Sequence, residues 1–166
     1  MKNYDIDRIL RPAFKLFLMY NYESVSTAKL EEETGLTRGA IFFKHKSKEA
    51  LFKAVVDRYV LEFKPGFTEV DDMDTLKSFI DAFLADTSRR MNEMCLLGIP
   101  NVQRGYFNLL YQALKYYPEA DIKIQAMFGA SLKIWEDILQ KAKESGEIKP
   151  TCDVHKTALQ FRYLYS

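Results

Sequence analysis

The sequence predicts an all-α protein in which an N-terminal three-helix unit with a helix-turn-helix precedes a larger helical region. Two observations carry this expectation. Every apolar run of useful length repeats at three and four residues, and none alternates in the manner of a strand. Two short helical patterns also meet at a glycine-containing turn of about three residues, the spacing of a helix-turn-helix. With 166 residues, 48% of them apolar and 28% charged, the chain can bury a core as one compact unit or as two small ones sharing a surface.

The first helix is expected from the set Ile6, Ile9, Leu10, Ala13, Phe14, Phe17 and Leu18. Pro12 interrupts it, so the helix is either kinked there or begins in earnest near Arg11. Ser26 is positioned to cap a second, short helix, with Val25 and Leu30 at the N′ and N4 positions of a hydrophobic staple. Gly35 supplies the left-handed residue that ends it. Thr37 then caps a third helix, Arg38 to about Lys44.

A longer helix is expected from Ser47, with a stripe of Leu51, Phe52, Val55, Val56, Tyr59, Val60 and Phe63, stopping at the boundary Lys64–Gly66. Beyond it the periodicity predicts helices over about Asp74–Met91, Val102–Tyr116 and Glu119–Glu144, the last ended by Gly146, and a final segment from Asp153 carrying Val154, Ala158, Phe161 and Tyr165.

A formal net charge of +1 excludes a general polycation. The charge is unevenly distributed, however. Met1 to Lys64 holds 12 Lys and Arg against 9 Asp and Glu, and between Gly35 and Lys53 the cations Arg38, Lys44, Lys46, Lys48 and Lys53 face only Glu49. Cys95 and Cys152 are distant in sequence, and with His45 and His155 they offer no metal-ligand spacing, so no metal or cofactor is expected. No signal-peptide or membrane-spanning run is present, which points to a cytoplasmic protein. Acidic pairs such as Asp71/Asp72 stand without a nucleophile or base, and no catalytic fingerprint occurs, so an enzyme is not expected.

A helix-turn-helix places the start of its second helix in the major groove. Arg38 can donate two hydrogen bonds to guanine, Gly39 lets the backbone approach, and Ala40 can touch a thymine methyl. Thr37 opens that helix. Lys44 and Lys48 are expected at phosphates, and Ser26 and Thr27 at a helix start that favours an anion. Ile41 should point inward, while Phe42 and Phe43 divide between core packing and the sugar-phosphate edge, Phe43 being at least half in the core. His45 is read as a structural histidine, and Glu31 to Glu33 as a solvent-facing edge kept away from phosphates.

From about Ile9 to Val60 the chain resembles the N-terminal domain of tetracycline-repressor-like (TetR family) regulators. The resemblance rests on "NYESVSTAKLEEETGLTRGAIFFKHKSKEAL", where Leu30, Gly35, Leu36, Gly39, Ile41, Ser47, Lys48, Glu49 and Leu51 fall in the family's register. Phe42 departs from the family's usual Tyr, Ala40 from Thr, Lys44 from a frequent His, His45 from Phe or Val, and Pro12 from Ala.

The resemblance implies a homodimeric repressor that binds a double-stranded, pseudo-palindromic operator and is released by a small-molecule effector held among the later helices. Phe83, Met94, Phe107, Tyr111, Met127 and Trp135 are the effector-binding candidates, from an aromatic and methionine-rich set in which Met adapts to irregular gaps. The expected organisation is a DNA-binding domain over 1–46, a connecting helix over 47–64, and an effector and dimerisation domain over 65–166. Family members continue through two long C-terminal helices, so this domain is expected to be C-terminally incomplete. The competing expectation is a helical ligand-sensing or protein-binding module that has lost DNA reading.

Overall fold

The computed structural model describes residues 4–61 and 75–164, the side chains of 4–6 and 164 excepted. Phe63, the boundary at Lys64–Gly66, Asp71, Asp72, Asp74, Tyr165 and the side chain of Ile6 therefore lie outside the described residues. Among the described residues eight α-helices follow one another: α1 (Tyr4–Met19), α2 (Thr27–Thr34), α3 (Arg38–His45), α4 (Lys48–Val56), α5 (Leu76–Cys95), α6 (Val102–Tyr116), α7 (Ala120–Glu144) and α8 (Val154–Leu164). A 3-10 turn, Tyr22–Ser24, precedes α2, and a π-helical turn, Asp57–Leu61, continues α4. Among the described residues there is no strand.

The caps are those the side chains dictate. Ser26 Oγ accepts from Lys29 N–H at 3.3 Å, Thr37 Oγ1 from Ala40 N–H at 3.3 Å, and Ser47 Oγ from Ala50 N–H at 3.1 Å. Gly35 ends α2 at φ 66°, a left-handed conformation that a side chain would strain. The ends of α5 move with its context: the helix continues past Met91 to Cys95, further than its apolar stripe predicts.

Pro12 neither delays nor breaks α1, which begins at Tyr4 and passes through it. The lost N–H and the crowding cost about 3 kcal/mol. Ile9, Leu10, Ala13, Phe14, Leu16, Phe17 and Leu18 are all buried on the same helix. Each large apolar side chain hidden contributes roughly 1.5–3 kcal/mol, which offsets the proline.

The described chain forms two compact units. In the first are α1 to α4 with the π-helical turn, then α6 and the first turn of α7. Its core sets Phe17 edge-on to Phe52 with ring centroids 5.0 Å apart, and Phe14 stacks on Tyr59 at 4.3 Å. Leu30 from α2, Ile41 from α3, and Leu51, Val55 and Val56 from α4 are fully buried. Helix α6 packs against both α1 and α4, a partnership that periodicity does not reveal.

The second unit contains most of α5, the remainder of α7, and α8. Its core is Phe79, Trp135, Ile138, Leu139 and Ala158. Trp135 stacks on Phe161 at 4.7 Å and meets the edges of Phe79 and Phe83 at 4.9 and 5.1 Å. The Glu147 carboxylate accepts from the N–H groups of Leu76 and Lys77, at 2.8 and 3.2 Å, which satisfies the first turn of α5 and favours its dipole.

At Gly105, α6 crosses close over the end of α1. A Cβ there would stand 2.8 Å from the Leu18 carbonyl oxygen and 3.3 Å from Leu18 Cβ. Gly105→Ala should therefore lower stability by about 1–3 kcal/mol through overpacking, more than the roughly 1 kcal/mol that helix propensity returns. Urea-denaturation midpoints of the two proteins measure it, and a more stable variant would contradict the close crossing.

Candidate nucleic-acid interface

Helix α3 is rotated by one buried residue. Ile41 is fully enclosed, and at about 100° per residue Gly39 and Phe43 project roughly 160–200° away from it. Arg38, Gly39 and Ala40 are exposed, whereas Phe42 and Lys44 are half-buried. Phe43 departs from the expectation of a partial core role: it is 85% exposed, because it stands opposite the one side chain that anchors the helix. Arg8, Ile9, Leu36, Gly39, Ala40, Phe43 and Lys44 line an open cleft of about 430 Å³ between the start of α1 and α3.

Lys46 closes α3 with φ 47°, the one non-glycine positive φ among the described residues, and its N–H donates to the Phe42 carbonyl at 2.9 Å. A side chain in this region costs roughly 1–2 kcal/mol. The position holds the turn between α3 and α4, with Lys46 itself exposed.

Lys48, expected at a phosphate, is put to a different use. Its ammonium donates to the carbonyl oxygens of Tyr22 and Val25 at 2.7 and 2.9 Å and lies 4.4 Å above the centre of the Tyr22 ring. Burial pushes its pKa below the ordinary lysine value, with Glu23 opposing that shift. Two of its three donors thus fasten the start of α4 to the segment before α2.

Tyr22 is the centre of this fastening, and the local pattern around it gives no hint of that. Its N–H donates to the buried Gln112 side chain, and its ring stacks on Tyr116 at 4.5 Å and meets Phe52 at 5.0 Å. Ser26 and Thr37 are engaged as caps, and Thr27 begins α2 half-buried.

The acidic run on α2 is not simply a solvated edge. Glu31 Oε1 accepts from the Arg38 N–H at 2.7 Å, and Glu33 pairs with Lys15 of α1 at 2.6 Å, leaving only Glu32 with the exposed role expected for all three. The Glu31 bond places a carboxylate at the positive end of α3, where the helix dipole favours it. It also ties α2 to the first turn of α3.

The six effector candidates divide evenly between the two units. Phe83, Met127 and Trp135 belong to the second unit, where Trp135 and Phe83 are packed into or against its core. Met94, Phe107 and Tyr111 belong to the first, and there Phe107 and Tyr111 are 62% and 68% exposed. Both cysteines are free thiols. Among the described residues no cluster of His, Cys, Asp or Glu could hold a metal, and no helix is long and apolar enough to cross a membrane.

Lys48→Met should retain the apolar stem but leave two carbonyls without their donor, costing about 1–3 kcal/mol of stability; chemical denaturation reads it, and an unchanged midpoint would remove Lys48 from the scaffold. His45 yields a pH effect of definite sign. The imidazole is half-buried, its Nε2 has no partner, and burial followed by the Lys44 charge depresses its pKa below the usual 6.5. The unfolded state therefore binds the proton more readily. Stability from this group is complete above about pH 6.5 and declines as pH falls through the depressed value. The gap in urea midpoint between His45→Phe and the native chain should widen between pH 7.5 and 5.5; a constant gap would refute it.

Residues 9–55 match the family model described as bacterial regulatory proteins, tetR family. Over 62 residues the chain is 42% identical to the HTH-type transcriptional repressor ComR of Escherichia coli (strain K12), a stretch covering 37% of this chain and 30% of that repressor. The chain thus spans less than a third of that relative's length. Its fold resembles the crystal structure of native NalD, described as the secondary repressor of the MexAB-OprM multidrug efflux pump in Pseudomonas aeruginosa, with TM-score 0.60, 19% identity, and coverage of 98% of this chain and 81% of that one. The capped α2 and α3 and the left-handed Gly35 between them fall within the matched stretch, so over residues 9–55 the chain is similar in sequence to the tetR family of bacterial regulatory proteins.

Proposed function

We propose that the protein is a transcriptional repressor that binds duplex DNA through α3 and is released by a small apolar or aromatic effector. The observation that carries this reading is the exposure of Arg38, Gly39 and Ala40 in the first turn of α3, with the exposed Arg8 lining the same cleft as Gly39 and Ala40 and Lys46 exposed at the end of the helix. Arg38 would address a guanine edge, Gly39 and Ala40 would let the backbone approach, and Lys44 would stand near phosphate. Thr37, Ser26 and Thr27 would contribute at the two helix starts, and Phe42 at the backbone edge. Lys48 would act by holding the α2 segment in place.

Two copies reading a pseudo-palindromic site would place their α3 helices about 34 Å apart, one helical turn of DNA. The domain division at 46 and 64, the dimer, the cytoplasmic location and the effector all belong to this proposal. They draw support from the family match and from the relatives' names as repressors. An effector would act by binding one arrangement of the protein more tightly than the other. Of its candidate contacts, Phe83, Met127 and Trp135 share a unit and make the more coherent set.

A mobility-shift titration against random-sequence and genomic duplexes at two salt concentrations tests the proposal. Affinity should fall steeply with salt, and Arg38→Ala should weaken preferred sites by about 1–3 kcal/mol relative to random sequence. A protein that shifts no duplex at either salt is instead a ligand-sensing or protein-binding module, the reading favoured by the absent hydroxyls at Ala40 and Phe42.

A further inference from the structure

Resting on the reading that α3 meets duplex DNA, we infer that Phe43 recognises the 5-methyl group of a thymine and is the main sequence-selective apolar contact of that helix.

The ring is 85% exposed and opposite the buried Ile41, so it occupies the middle of the outward face of α3. Arg38, three residues before Ile41, lies only about 60° from it around the helix, away from the middle of that face. Beside the ring are Gly39, which adds no bulk, and Ala40, one turn earlier, which adds a second apolar surface. A phenyl group has no donor or acceptor. Against the edge of guanine, adenine or cytosine it would desolvate a polar atom without replacing its hydrogen bond. The thymine methyl is the apolar group that the major groove displays.

Charge decides between DNA and a protein as the occupant. Arg8 and Lys44 line the same cleft, and Arg38 and Lys46 are exposed nearby. The Glu31 carboxylate of α2 accepts from the Arg38 N–H at 2.7 Å. One aromatic ring inside a cationic border offers little area to an apolar protein face but matches a polyanion carrying isolated methyl groups.

The test begins with duplexes that the protein itself selects from a randomised library. Each thymine is then replaced singly by deoxyuridine, which removes the methyl and keeps every hydrogen-bonding group. For the native chain at fixed salt, one position should show a loss of about fourfold in affinity, the value of one buried methyl-sized group. In Phe43→Ala the same replacement should have no effect while the salt dependence is retained. Position 43 is solvent-facing, and the native chain alone already gives a decisive result. Equal binding of thymine and deoxyuridine duplexes at every position overturns the inference and leaves DNA binding intact, as does discrimination that persists in Phe43→Ala. Failure to select any duplex overturns both.

Discussion

The geometry of the candidate interface depends on the burial of Ile41. A single enclosed side chain on an eight-residue helix sets which way all the others face. Its burial contributes roughly 1.5–3 kcal/mol, comparable to the reward for any one contact the helix could make outside. The α3 helix is too short to be stable alone, so its orientation is borrowed from α1, α2 and α4. A turn of about 200°, two residues of helical phase, would hide Phe43 and expose Ile41.

Behind that helix is a scaffold of polar bonds with definite directions. The Lys48 ammonium ties α4 to two carbonyls of the preceding segment, the Glu31 carboxylate ties α2 to α3, and the Glu33–Lys15 pair ties α2 to α1. Exposed ion pairs contribute little, but a half-buried ammonium on two carbonyls satisfies groups that would otherwise be costly to leave alone. Tyr22 joins this network to the aromatic core through its ring and to α6 through its N–H. Residues in this part of the chain therefore divide into those that face outward and those that hold the outward ones still. Charge alone does not distinguish them, since Arg38 and Lys48 carry the same sign.

What the sequence made legible was local. Ser26, Gly35, Thr37 and Ser47 act within three or four residues of themselves, and their chemistry names the helix ends without knowledge of the rest of the fold. Ile41, Leu30 and Val25 follow from period and from the staple spacing. Lys48, Glu31 and Glu33 were illegible because their partners lie on other elements, and a charged residue on a helix reads as solvated until its neighbour is known. Phe43 misleads for the opposite reason: hydrophobicity predicts burial, yet the phase of a short helix leaves no room for both Ile41 and Phe43 inside. Pro12 fails as a breaker because seven buried positions on α1 outweigh one lost hydrogen bond. The effector set was drawn from composition, which counts aromatics without placing them, and the two units divide it.

The crossing of Leu18 and Gly105 bears on how the molecule is made. Helix α1 leaves the ribosome long before its partner α6 exists, and at about 5–20 residues per second the delay is on the order of ten seconds. Through that interval the face of α1 awaiting α6 is unsheltered in the nascent chain, a demand for chaperone cover that a contiguous N-terminal domain would not impose. A gene fusion or nonsense codon placed after α4 would release a polypeptide with α3 encoded in full but the α6 wall behind α1 and α4 missing.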